Sequence, residues 1–186
     1  VSGDAGNYTC EVSGTCGTVV SNIASLTVGA ATNITVQPSG TTLCGGDNYT
    51  LSISANGSNL TYQWKLDGSN IAGATSSTYD ITGADLTDAG DYTCEVSGDC
   101  GTVTSNTASV VINAATQITT HPSDAVVCSG GNHTFSVTAT GSSLSYQWQK
   151  DGSDITGATN SSYTVTNAVS GDAGNYTCEV SGTCGT

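Results

Sequence analysis

Along residues 33–112, apolar side chains alternate with polar ones in short runs. These are Ile34 and Val36; Tyr49, Leu51 and Ile53; Leu60, Tyr62 and Trp64; Tyr79 and Ile81; Tyr92, Cys94 and Val96; and Ala108, Val110 and Ile112. Alternation with a period of two puts one face of an extended segment in a core and the other in water, so each run predicts a β-strand. Between the runs stand Cys44-Gly45-Gly46-Asp47, Ala55-Asn56-Gly57-Ser58 and Asp67-Gly68-Ser69-Asn70. Their glycines, asparagines and aspartates favour turns. Helical spacing is not sustained beyond about six residues anywhere. The pattern predicts an all-β sandwich of short strands.

The pattern repeats. Asp4-Ala5-Gly6-Asn7-Tyr8-Thr9-Cys10-Glu11-Val12 recurs, with few changes, at Asp88 to Val96 and again at Asp172 to Val180, and the two intervals are equal. The same offset relates Trp64 to Trp148, Cys44 to Cys128, Pro38 to Pro122, Ile53 to Val137 and Ile34 to Ile118. A longer period lies above it: residues 1–18 are identical to residues 169–186, whereas residues 85–102 differ from either at five positions. The larger unit is therefore two repeats long. This organisation predicts the C-terminal part of one domain at 1–28, a complete domain at 33–112 and a domain lacking its last strand at 117–186. Only Gly29-Ala30-Ala31-Thr32 and Asn113-Ala114-Ala115-Thr116 stand between them. Junctions that short predict domains stacked end to end.

Tyr62-Gln63-Trp64 followed by Asp88-Ala89-Gly90-Asp91-Tyr92-Thr93-Cys94 resembles the immunoglobulin fold, with its core tryptophan on strand C and Asp-x-Gly-x-Tyr-x-Cys motif on strand F. The match recurs at Tyr146-Gln147-Trp148 and Asp172 to Cys178. Residues 73–79 and 103–106 look like the immunoglobulin-like repeats of large secreted and surface proteins of the Bacteroidota type. The resemblance implies tandem immunoglobulin-like sandwiches with Trp64, Trp148, Tyr92, Tyr176, Cys94, Cys178, Ile53 and Val137 in their cores. It also implies that the tyrosine hydroxyls bond to nearby backbone. One departure stands out. Where the family usually has a strand B cysteine facing strand F, this chain has Ile53 and Val137, so the usual intersheet disulfide is not expected.

Composition narrows the setting. The chain has 186 residues with 15 acidic against 2 basic side chains, a net charge of −13. Binding nucleic acid or an anionic membrane surface needs Lys and Arg to displace counterions, so both are excluded as partners. No run of 18 apolar residues is present, and no membrane insertion is expected. Eight cysteines in a chain with no methionine point to an oxidising, extracellular or cell-surface setting. A metal site is not expected: there is no CxxC pair, and His121 and His133 are not spaced as ligands. The aspartates do not cluster as a calcium loop requires.

No catalytic residues emerge. His133 falls on the repeat position of Tyr49 and His121 on that of Gln37, so neither recurs, and both read as exposed strand residues. No His or basic neighbour in sequence would lower the pKa of Cys94 or its equivalents. Lys65 and Lys150 occupy non-equivalent positions, which weakens a repeated isopeptide cross-link. Eight Asn-x-Ser/Thr sequons, at Asn7, Asn33, Asn48, Asn56, Asn59, Asn132, Asn160 and Asn175, leave glycans as candidate modifications. No enzyme and no cofactor are expected.

Each 84-residue unit carries three cysteines. Beyond Cys94 and Cys178, the disulfide candidates are Cys44 and Cys128 before strand B, and Cys16, Cys100 and Cys184 near the turn between strands F and G. In the implied topology these two kinds lie at opposite ends of a sandwich, well beyond the Cα reach of about 7 Å. Consecutive domains would bring them together, which predicts Cys44 bonded to Cys184 with Cys94 and Cys178 as buried thiols. The rival is a bond from Cys44 to Cys94. Two functions follow. One is a segment of an extracellular filament, stalk or adhesin shaft, partnered by copies of itself in a stiff rod. The other is a recognition module whose loops bind a carbohydrate or protein ligand.

Overall fold

The computed structural model describes residues 2–186. Secondary structure is almost entirely β, the exceptions being single 3-10 turns at Ser2–Asp4, Leu86–Asp88 and Ser170–Asp172. The turns are spaced by the repeat. By compactness the chain divides into two units: one holds the chain up to Pro38 with Ser52–Thr78 and Thr93–Asn106, the other Ser39–Leu51, Tyr79–Tyr92 and Thr107–Thr186.

In the first unit, antiparallel pairs join Gly6–Tyr8 to Ala24–Leu26, Glu11–Gly14 to Gly17–Val20, Asn33–Val36 to Ser54–Asn56, and Thr61–Leu66 to Ser69–Asn70. The second half of Gly90–Gly98 pairs with Gly101–Thr104. Ile53, Trp64, Ala74, Cys94 and Val96 are buried here. Trp64 is fully enclosed, and its Nε1–H donates to Ser76 O at 3.0 Å. The backbone N–H of Trp64 donates to Ala74 O at 3.0 Å, while Gln63 Nε2 donates to the carbonyls of Trp64 and Ile71, both at 2.8 Å. Those bonds tie down residues 71–76, which form no strand but bury Ala74 against the core.

In the second unit, Gly90–Tyr92 runs antiparallel to Ala108–Val110, and Ala108–Asn113 runs parallel to Thr41–Cys44. Ala108, Val110 and Ile112 are buried on alternate positions, as period-two patterning requires. Tyr92 is fully buried, and its hydroxyl donates to Asp88 O at 2.8 Å. Asp85 caps the adjoining turn by accepting from Thr87 N–H at 2.6 Å, and hydrogen bonds from Thr87 hold its carboxyl below the usual carboxylate range. Further along, His133–Ser136 pairs with Ser162–Val165, and Ser145–Lys150 pairs with Ser153–Asp154 and Tyr176–Ser181. Val137, Trp148, Ala158 and Val180 form a core there, with Phe135 and Tyr176 packed against it.

Two expected core residues depart from expectation. Tyr176 and Cys178 are half-buried, whereas their repeat equivalents Tyr92 and Cys94 are fully buried. The strand Ala108–Asn113 covers Gly90–Tyr92, and no described residue pairs with Gly174–Tyr176 along that edge. For the same reason, Thr41–Cys44 is a strand while residues 125–128 are not, and Val126 is wholly exposed. His133 is also half-buried rather than exposed, its ring edge-on to Phe135 at 4.5 Å, and His121 lies one residue beyond the strand Gln117–Thr120.

Candidate functional site

The chemistry that recurs with the repeat is thiol chemistry, so the site is built from the turns that carry cysteines. Parallel pairing sets Cys44 level with Asn113. The turn beyond it fixes the backbone: Cys44 N–H donates to Asp47 Oδ2 at 2.8 Å, Asp47 N–H to Cys44 O at 3.0 Å, and Gly45 N–H to Asn113 O at 2.8 Å. Gly46, at φ 94°, takes a backbone conformation that favours glycine and donates to Ala84 O at 2.8 Å.

Cys184 sits in a second tight turn. Gly182 N–H donates to Gly185 O at 2.8 Å and Thr183 N–H to Ser142 O at 2.9 Å. Thr116 N–H reaches Cys184 O at 3.4 Å, and Cys184 Sγ lies 3.7 Å from Asn113 O. Both cysteines thus meet the residues around Asn113. The structure joins them in a disulfide with an S–S distance of 2.04 Å and a Cα–Cα distance of 5.5 Å, across 140 residues of chain.

The other cysteines are free thiols. Cys10, Cys16, Cys100 and Cys128 are exposed, Cys94 is buried and Cys178 is half-buried. The structure therefore brings Cys44 together with Cys184 and not with Cys94. Burial pushes the Cys94 thiol up, outweighing a backbone hydrogen bond from Gln63, and burial likewise raises Cys178. A protonated thiol is a poor nucleophile. Lys65 pairs with Glu95 at 2.8 Å, and among the described residues no group of three His, Cys, Asp or Glu is placed to hold a metal ion.

Alternation alone does not reveal the residues that surround these turns. Ala114 N–H donates to Ser142 Oγ at 3.0 Å, and one repeat earlier Ala30 N–H donates to Ser58 Oγ at 3.1 Å. Asp99 N–H donates to Ser58 O at 3.0 Å, as Thr183 does to Ser142. Cys100 stands where Cys184 stands: a Cβ on Gly29, the repeat equivalent of Asn113, would fall 2.8 Å from Cys100 Sγ. Thr32 Oγ1 and Thr116 Oγ1, another repeat pair, are both buried without a hydrogen-bond partner among the described residues. Recurrence from one repeat to the next is the signal that marks this set.

A cavity of about 750 Å³ opens where Tyr176 and Val126 lack cover, lined by Ala125, Val127, Phe135, Val165, Val169 and Tyr176 among others. Its walls are mainly apolar, and the Phe135 and Tyr176 rings stack at 4.7 Å.

The model of the immunoglobulin domain family matches residues 33–98 and 117–182. The chain belongs to the immunoglobulin domain family. Domains of this kind are typically structural or recognition modules rather than enzymes. Among curated proteins, this immunoglobulin chain is 33% identical over 151 residues to the highly immunogenic outer capsid protein of Enterobacteria phage T4, covering 72% of the chain and 37% of that protein. It is 26% identical over 195 residues to neuroglian of Drosophila melanogaster, covering 96% of the chain and 15% of that protein. The chain thus spans well under two thirds of either. Among solved structures, a three-immunoglobulin-domain titin fragment superposes with a TM-score of 0.83 at 21% identity, covering all of this chain and 72% of that one. Extracellular domains 3–5 of Drosophila OTK superpose with a TM-score of 0.57 at 20% identity, covering 98% of this chain and 68% of that one. These structural likenesses show tandem immunoglobulin folds.

Proposed function

We propose that this chain is a structural segment of an extracellular filament, stalk or adhesin shaft, a stretch of immunoglobulin repeats that assembles into a stiff rod. Its setting would be a large secreted or surface protein of the bacterial type that the repeat resembles. The observation that carries the reading is the Cys44–Cys184 disulfide, which links one repeat to the next rather than closing a single sandwich. A bond in that place does nothing for a binding loop, but it restrains one repeat against its neighbour. The recurrence of the repeat along the chain supports the same reading, since arrays gain length by adding units whose stability is roughly a sum of unit and interface contributions. Disulfides persist where the surroundings are oxidising, which supports placement outside the cell. The Asp67–Asn70 and Asp151–Asp154 loops lack the aromatic and arginine anchors that concentrate binding energy.

Electron microscopy of the native surface material tests the reading. Continuous thin fibres with a two-domain repeat support it. Isolated particles that retain a glycan or protein on those loops would overturn it in favour of a recognition module.

A further inference from the structure

We infer that the Cys44–Cys184 disulfide is a reversible redox lock on extension: closed, it carries load across the joint and shields residues 45–183, and opened by a small thiol it returns them to the load path. The inference rests on the proposed rod, because a rod bears tension along its chain.

Connectivity sets the load path. Tension entering ahead of Cys44 crosses to Cys184 over a Cα–Cα distance of 5.5 Å and bypasses 140 residues of chain. Trp64, Trp148, Tyr92 and Leu51, all fully buried, lie inside the bypassed loop. While the bond holds, the cores built on these residues carry no tension from the chain ends.

Two turns hold the sulfurs together independently of the bond between them. On one side Cys44 N–H donates to Asp47 Oδ2 and Gly45 N–H to Asn113 O, both at 2.8 Å. On the other, Thr183 N–H donates to Ser142 O at 2.9 Å, Thr116 N–H to Cys184 O at 3.4 Å and Ala114 N–H to Ser142 Oγ at 3.0 Å. Both turns close on residues 113–116, and a Cβ on Gly45 would fall 3.5 Å from Ala115 N. Breaking the S–S bond removes none of these contacts. The same seat stands one repeat earlier without a disulfide. There Ala30 N–H donates to Ser58 Oγ at 3.1 Å, Asp99 N–H to Ser58 O at 3.0 Å, and the free Cys100 thiol lies against Gly29. A reduced Cys184 is therefore held beside Asn113, whose carbonyl lies 3.7 Å from its sulfur, and Asn113 is level with Cys44. Thiols positioned in this way re-pair with each other ahead of the exposed Cys16, Cys100 and Cys128, since positioning raises their effective concentration.

Cys44 and Cys184 are half-buried, so a small thiol reaches their sulfurs. A glutathione thiolate attacks one sulfur and breaks the S–S bond, forming a mixed disulfide, while the other cysteine leaves as a thiolate and takes up a proton. A second glutathione attacks the mixed disulfide, releasing the remaining cysteine thiol and glutathione disulfide. Two electrons pass from glutathione to the protein, and glutathione disulfide reverses the sequence.

The experiment holds the whole chain by its two ends in optical tweezers, in buffer poised with glutathione disulfide or with reduced glutathione. Cys184→Ser should extend fully in both buffers and sets the force used. At that force the oxidised wild type should stop near the roughly 150 Å that residues up to Cys44 span when extended. Reduced glutathione should add about 460–500 Å, the extended span of the 140 residues in the loop. When the folded chain is reduced and returned to glutathione disulfide, peptide mapping should recover Cys44–Cys184 as the main bond to Cys44, and the same exchange in urea should give mixed pairings. With the bond mapped as formed, equal extension of the wild type in both buffers, or a folded chain that re-oxidises to Cys44–Cys100 or Cys44–Cys128, overturns the inference and leaves the rod reading standing. Absence of the Cys44–Cys184 bond from the oxidised chain overturns the rod reading as well.

Discussion

Trp64 and Trp148 occupy the same place one repeat apart, each fully buried, with Nε1–H donating to a carbonyl at 3.0 Å, Ser76 O and Asn160 O respectively. Truncating Trp64 to Ala leaves a void that close-packed neighbours fill only in part and should cost about 3–5 kcal/mol in urea unfolding. Tyr92 and Tyr176 also share a bond, each hydroxyl donating to an aspartate carbonyl at 2.8 Å, but only Tyr92 is fully buried. Tyr92→Phe should cost about 1 kcal/mol and Tyr176→Phe less, since water replaces the lost partner more readily where the ring is half-open. The thiols follow the same logic. Burial raises Cys94 above the ordinary thiol value of 9.0, so between its unfolded and folded values the native chain keeps a proton that the unfolded chain releases. That part of the stability is whole below pH 9 and drains away as pH rises. The pH slope of stability above 9 should therefore be shallower in Cys94→Ala, and iodoacetamide should label Cys178 before Cys94 in the folded chain. Motif and spacing made these residues legible as core residues. The depth of Tyr176 and Cys178 was not legible, because it depends on whether a strand lies alongside.

At the scale of elements, period-two alternation marked the strands that bury one face, and it passed over Thr41–Cys44 and Ser69–Asn70. The first contains Thr-Thr-Leu-Cys, a run too polar and short to stand out, and becomes a strand through parallel pairing with Ala108–Asn113. The second is a two-residue edge strand defined by the turn before it. That turn is legible in chemistry though not in pattern. Asp67 at φ 48° and Gly68 at φ 80° join Thr61–Leu66 to Ser69–Asn70 in two residues, and Asp151 at φ 50° and Gly152 at φ 79° do the same one repeat later. Both positions need left-handed backbone, which Asp-Gly supplies. A Cβ on Gly68 would meet nothing within 4 Å, so Gly68→Ala isolates the backbone cost. It should lower stability by about 1–2 kcal/mol, and Gly68→Asn by less, since Asn tolerates that region. Equal losses for the two variants in thermal melts would show that something other than backbone strain sets the cost.

Across the whole molecule, repetition carries both what was readable and what was not. The family and the all-β class follow from motifs that recur in order, whereas the contacts of Ser58, Ser142, Thr32 and Thr116 belong to polar residues that no pattern of alternation singles out. Substituting Cys184 tests the largest structural commitment. The Cys44–Cys184 bond closes 140 residues, and if it acts by restricting the unfolded chain, the loop-closure relation puts its contribution at about 5 kcal/mol, an upper value because residual structure in the unfolded chain reduces it. Cys184→Ser should lower the urea midpoint of the chain by an amount equivalent to about 2–5 kcal/mol. Wild type with reductant should fall to the same midpoint, and reductant should leave the variant unmoved. Because the closed loop also constrains the denatured chain, the unfolding m-value should rise when the bond is removed. A midpoint that shifts with no change in m would place the effect of the bond in the folded state instead, as a restraint on residues 41–47 and 182–185.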